Sequence, residues 1–263
     1  MASVPMSEVF DMGRVISRAA GAVRRNLLLF GALALILQLL PALLIRFIVP
    51  APVIVPGLIP NFGPMYFVSL LISLTLFYVL QAAVTHATVV DLKDDKPTLA
   101  GALLRGFRLV LPLFGLAVVS GLGVALGFFL LFIPGIIVAL MWVVAAPAMV
   151  EEGTGIIASL GRSRALTKGS RWGIFLLLLA IFVAFMLFTF ATSFLVGSVS
   201  SVSGPGFAAA TSSINANGPA MIVLTALNTL FVVLITALVA AIYVELRFVR
   251  EGRRPEDLAA VFA

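Results

Sequence analysis

Glu151 and Glu152 are neighbouring carboxylates, and such a pair could divide general-acid and general-base work. Adjacent residues on a helix point to different faces, so a second element would have to make them converge. The plainer expectation is a helix-end cluster that pairs with Arg162 or Arg164. His86 is the single histidine. A proton relay there needs an acidic partner at the same depth, and the sequence shows none, so a polar residue near the headgroups is expected. Gln38, Gln81 and Asn228 are the uncharged polar residues deepest in apolar runs. They are expected to hydrogen-bond between helices, each worth about 0.6–2 kcal/mol, or else to line a substrate path. Arg46 is a cation placed apart from all the others, near a helix end from which it can snorkel outward, with an outer-leaflet role toward an anionic lipid or substrate as the alternative.

The catalytic repertoire beyond these residues is narrow. Cysteine is absent and histidine occurs once, which excludes disulfides, thiolate sites and multi-histidine metal sites. No Gly-rich phosphate loop, Ser-x-x-Lys, Gly-x-Ser-x-Gly or His-Glu-x-x-His pattern occurs. No catalytic, cofactor-binding or metal-binding residue is therefore assigned, and the chain is expected not to be an enzyme.

The elements that hold these residues are apolar. The 263 residues are 62% hydrophobic and 11% charged. A soluble domain is usually about 45–50% apolar. The charges come in clusters between long uncharged runs, the mark of an integral membrane protein. The sequence predicts an all-α polytopic fold, a single membrane domain over 1–263. An amphipathic interfacial helix is expected over 7–25, with Ser7 as its cap, an apolar face of Val9, Met12, Ile16, Ala19 and Val23, and an opposite face of Asp11, Arg14, Arg18 and Arg25. Crossings are expected at about 27–45, 65–90, 109–132, 135–150, 173–196 and 220–242, with a charged tail over 243–263. Residues 47–64 carry five prolines, Pro50, Pro52, Pro56, Pro60 and Pro64, and read as an extended loop. Residues 91–108 read as a charged loop with a short helix of its own from Thr98, and 156–171 as another short basic helix. Residues 197–219 read as an uncharged Ser/Gly-rich loop. The charge-free stretch Leu109–Val150 reads as a hairpin turning at Pro134-Gly135, with Ala117, Gly121, Gly123 and Gly127 at small-xxx-small spacing.

Orientation follows from the cations. Of 17 Lys and Arg residues, all except Arg46 fall in the segments 1–26, 91–108, 151–171 and 245–263. The positive-inside rule then gives six crossings with both termini cytoplasmic, in the inner membrane. A cleavable signal peptide is not expected, because the first apolar run is too long and no A-x-A pattern follows it. The formal charge of +6 is explained by this topology. Membrane lipids, anionic headgroups among them, and another membrane protein are the expected partners, and nucleic acid is not.

The order of motifs carries a resemblance. Leu131-Phe-Ile-Pro-Gly-Ile136 is followed by Trp142, Pro147-Ala-Met-Val-Glu-Glu-Gly153 and Ile157-Ala-Ser-Leu-Gly-Arg-Ser-Arg-Ala-Leu-Thr-Lys-Gly-Ser-Arg-Trp172. Tyr243-Val-Glu-Leu-Arg247 and Arg250-Glu-Gly252 close the series. The chain resembles the membrane-domain family named after glycerophosphoryl diester phosphodiesterase, and related uncharacterised bacterial six-helix inner-membrane proteins. The resemblance implies the membrane domain without the catalytic barrel, since one histidine cannot furnish that enzyme's histidine pair and metal site. It also implies a cytoplasmic polar network of Glu151, Ser163, Arg164, Glu245 and Arg247, locking the ends of crossings four, five and six. The leading expectation is a non-enzymatic, multi-pass, lipid-associated or scaffolding protein of the bacterial envelope. The alternative is a small transporter or permease for a hydrophobic or amphiphilic substrate. An intramembrane lipid enzyme ranks third.

Overall fold

The computed structural model describes residues 10–49, 63–201 and 219–251, and among these no strand occurs. The elements are α1 (Met12–Arg25), α2 (Leu27–Ala34), a π-helical turn (Leu35–Leu39), α3 (Leu40–Ile48), α4 (Pro64–Leu92), α5 (Leu99–Leu130), α6 (Phe132–Trp142), α7 (Ala145–Glu152), α8 (Ile156–Thr167), α9 (Arg171–Ser201) and α10 (Pro219–Glu251). Six stretches are long and apolar enough to cross a membrane: Leu27–Ile45, Pro64–Leu92, Leu99–Leu130, Phe132–Glu152, Arg171–Thr192 and Ile222–Glu251.

The helix ends depart from the sequence reading in ways that local chemistry explains. α1 starts at Met12, and its cap is Asp11, whose carboxylate accepts from the Arg14 amide at 3.1 Å. The expected cap, Ser7, lies outside the described residues. The buried face of α1 is Val15, Ala19, Ala22 and Val23, whereas Ile16 is half exposed. Its apolar stripe is turned to pack on protein. Phe47 and Ile48, expected in the proline-rich loop, belong to α3, and Pro64 opens α4. A proline at the first helical position loses nothing, since its missing N–H would be unpaired there anyway. The prolines from Pro50 to Pro60 lie outside the described residues.

Thr98 does cap a helix, its hydroxyl accepting from the Gly101 amide at 3.2 Å. That helix is the third crossing itself, continuous from Leu99 to Leu130, and the separate short helix over 98–108 does not exist. Likewise α8 ends at Thr167 instead of reaching Arg171, α9 continues to Ser201, and α10 runs unbroken through the expected tail to Glu251. Residues 202–218 and 252–263 lie outside the described residues.

The hairpin turns at Leu131, not at Pro134-Gly135. Leu131 is extended at φ −164° and ψ 151°, and α6 begins at the next residue. Pro134 falls in the first turn of α6, where no intrahelical N–H is required. Gly135 serves close approach instead. A Cβ on Gly127 would lie 2.9 Å from the Gly135 Cα, so the two arms touch backbone to backbone. The fourth crossing is itself broken at Val143-Val144. Pro147 supplies no N–H to the Val143 carbonyl and crowds it, which opens the helix there.

Packing is concentrated in one half of the bundle. Buried side chains come from the second half of α4 (Val79 to Val89), the first half of α5, α7, the start of α9 and the second half of α10 (Val233 to Leu246). Many are small, including Ala82, Ala83, Ala87, Ala237, Ala240 and Ala241. Between apolar helices in lipid, such residues bring backbones near enough for dispersion to hold them. The opposite halves carry exposed Leu70, Leu71, Leu126, Phe129 and Phe190.

Candidate functional site

The packed half ends in a charged layer built by the last turns of α4, α7 and α10, the first turns of α5 and α9, and the helices α1 and α8. Its most buried member is Glu245 on α10, with no exposed surface. The Arg14 Nε donates to Glu245 Oε1 at 2.8 Å, and the Arg18 Nη1 donates to Oε2 at 2.6 Å. Arg14 and Arg18 are one helical turn apart on α1, so both reach the same carboxylate. Both also lie over the Phe248 ring, at 5.8 and 5.9 Å from its centroid.

A second contact ties the end of α1 to α4. Arg25 donates to Asp91 from Nη2 at 2.6 Å, and the Asn26 side-chain amide donates to the same carboxylate at 2.6 Å. The hydrogen bond to Asp91 outweighs the burial that opposes the charge and, with the Asp91 and Asp94 charges, holds the Arg25 guanidinium above its usual pKa.

Glu151 and Glu152 diverge. Glu151 lies 3.1 Å from His86 Nδ1 and accepts from Lys93 Nζ at 3.1 Å. Glu152 accepts from Arg162 Nε at 2.8 Å and from the Tyr243 hydroxyl at 2.9 Å. Arg162 also donates to Glu251, which accepts from Arg247 Nε at 2.8 Å. Burial disfavours the charge on Arg162, but its hydrogen bonds to Glu251 and Glu152 outweigh that and raise its pKa. The Arg105 guanidinium donates to the Val150 carbonyl near the end of α7. A cation there answers both an unpaired carbonyl and the negative end of the helix dipole.

Ser163 is wholly buried and repairs the break in the fourth crossing. Its hydroxyl donates to the Met141 carbonyl at 2.8 Å and accepts from the Val144 amide at 3.3 Å. Polar backbone inside an apolar bundle is tolerated when a neighbouring helix satisfies it in this way.

Of the network expected from the resemblance, Glu151, Ser163, Glu245 and Arg247 lie in this layer. Arg164 does not join it: it is exposed and forms no ion pair among the described residues. His86 corrects a second expectation, because its acidic partner exists and is Glu151. The sequence reading did not assign Arg14, Arg18, Arg25, Asn26, Asp91, Lys93, Arg105, Tyr243 or Glu251 to the network. Gln38, Gln81 and Asn228 are not joined by hydrogen bonds. Asn228 is exposed and donates to the Leu224 carbonyl of its own helix at 2.9 Å. Gln81 is half-buried, and the Gln38 Oε1 is buried without a hydrogen-bond partner among the described residues. The Arg46 side chain lies outside the described residues.

Chemically, the layer is a set of closed ion pairs. Among the described residues no group of three or more His, Cys, Asp or Glu side chains could hold a metal ion. No family model, no curated protein and no solved structure matches the chain.

Proposed function

We propose that this chain is a non-enzymatic, lipid-associated protein of the bacterial inner membrane, crossing it six times with both termini in the cytoplasm. The observation that carries the reading is the imbalance of the charged layer. Asp91, Glu151, Glu152, Glu245 and Glu251 each have a basic partner. The exposed cations Arg24, Lys96, Arg108, Arg164 and Lys168 pair with none of the described carboxylates. A surplus of cations beside a bilayer attracts anionic headgroups, at about 1 kcal/mol per cation near the surface. Kinship with the glycerophosphoryl diester phosphodiesterase membrane-domain family belongs to the same proposal and rests on the order of the sequence motifs. A role as scaffold for another membrane protein is compatible with the same closed layer.

Extraction into mild detergent followed by native mass spectrometry is expected to release the chain with phospholipid attached. Release of a bare chain, carrying neither lipid nor protein, would reject the reading. A second reading, a small transporter for an amphiphilic solute, is favoured by one observation. The unpartnered Gln38 oxygen sits on a π-helical turn inside the first crossing, and such turns gather at functional sites. Solute flux into vesicles containing the purified chain, abolished by Gln38→Leu, would replace the first reading with this one.

A further inference from the structure

We propose that the turn between α8 and α9 binds a phosphate-bearing lipid headgroup. The inference deepens the lipid reading above and rests on it. A pocket of about 400 Å³ opens at this turn, lined by Gly161, Arg164, Ala165, Lys168 and Arg171. Three of its lining residues are cations and none is acidic. Arg164 stands one turn before the end of α8, Lys168 just beyond that end, and Arg171 at the start of α9. Gly169, at φ +89°, reverses the chain between them. The Arg250 guanidinium reaches this turn too, 3.1 Å from where a Cβ on Gly169 would stand.

Like charges gathered this way repel one another, and an anion among them turns that repulsion into attraction. No carboxylate lines the pocket to supply that anion, and Asp91, Glu151, Glu152, Glu245 and Glu251 are held by other cations. A second observation points the same way. The Arg171 Nε is buried and has no hydrogen-bond partner among the described residues. A guanidinium N–H removed from water without an acceptor is destabilising, and a phosphate oxygen in the pocket supplies one. The free amides at the start of α9 add the positive end of a helix dipole to the same place.

The surroundings select a lipid. Trp172 follows Arg171 directly and is 80% exposed. An exposed indole beside cations is suited to headgroup depth. Leu176 and Leu179, one and two turns further along α9, are also exposed and offer an apolar surface for acyl chains. Three cations favour a headgroup with more than one negative charge, a phosphomonoester above all, over zwitterionic phosphocholine.

The test reconstitutes the full chain in nanodiscs of mixed phosphatidylcholine and phosphatidic acid, then counts retained lipids by native mass spectrometry. Three proteins are compared: the wild type, the triple variant Arg164→Gln/Lys168→Gln/Arg171→Gln, and the control Arg24→Gln/Lys96→Gln/Arg108→Gln, which removes equal charge elsewhere. Wild type is expected to retain phosphatidic acid over phosphatidylcholine, the control to weaken that preference only by the general attraction its three cations supply, and the site triple to lose at least about tenfold more than the control. Should the triple not fold, Lys168→Gln alone is expected to lose about fivefold. A site variant that retains phosphatidic acid as the control does overturns the site and leaves the general lipid reading standing. No preference in any of the three proteins overturns both. Excess inorganic phosphate distinguishes the two sources of the anion. If it displaces phosphatidic acid and raises the melting temperature of the wild type but not of the site triple, the ligand is soluble phosphate and the lipid assignment is overturned.

Discussion

A carboxylate without exposed surface needs charge partners within hydrogen-bond reach, and Glu245 has two, Arg14 and Arg18. Glu245→Ala leaves both guanidiniums facing a buried apolar hole. The expected cost is about 3 kcal/mol, the low end for an uncompensated buried charge, because the arginines keep 31% and 32% of their side-chain surface. The thermal midpoint in detergent should fall clearly, while Arg164→Ala, on an exposed side chain without an ion pair, should change stability by less than about 0.5 kcal/mol. Equal midpoints for the two variants would refute this division of roles. The basic stripe of α1 was legible in the sequence, since Arg14 and Arg18 stand at helical spacing. Its partner was not. The pairs span 231 and 227 residues, and no local pattern reports which of several carboxylates will lie opposite. His86 and Glu151 were separately visible, and only the packing of α7 on α4 makes them a pair.

At the level of elements, existence was easier to read than punctuation. Apolar length alone shows where the six helices long enough to cross a membrane lie, because in lipid a helix satisfies its own backbone groups. Pro134-Gly135 misled for a physical reason. The pair is a turn signal in water, but here the proline fits a first helical turn and the glycine lets α5 and α6 touch. The small-residue spacing on α5 was legible as a set, whereas the structure separates its members. A Cβ at Gly127 meets the Gly135 backbone at 2.9 Å, while one at Gly121 meets nothing within 4 Å. Gly127→Ala should therefore cost about 1–3 kcal/mol through overpacking. Gly121→Ala should be neutral or slightly stabilising, because alanine favours helix. Thermal melting of the two variants in one detergent checks the difference, and equal destabilisation would count against the close approach of α5 and α6.

For the whole molecule, charge and packing share one end. The described helices interlock near the charged layer, and beyond it they show apolar side chains outward. The asymmetry of Lys and Arg was plain from sequence, and it yields an orientation that labelling can check in a chain without native cysteine. Single substitutions Asp95→Cys and Ser203→Cys are expected to label on opposite sides, the first only after cells are opened and the second in intact spheroplasts. Labelling of both from the same side would remove the basis for six crossings. The Glu245 contact also bears on biosynthesis. Arg14 and Arg18 emerge from the ribosome 231 and 227 residues before their counter-ion. Until α10 is made, Glu245 cannot reach Arg14 and Arg18, so a chain truncated before it can hold α1 to α4 through Arg25 and Asp91 but lacks the tie of α1 to α10.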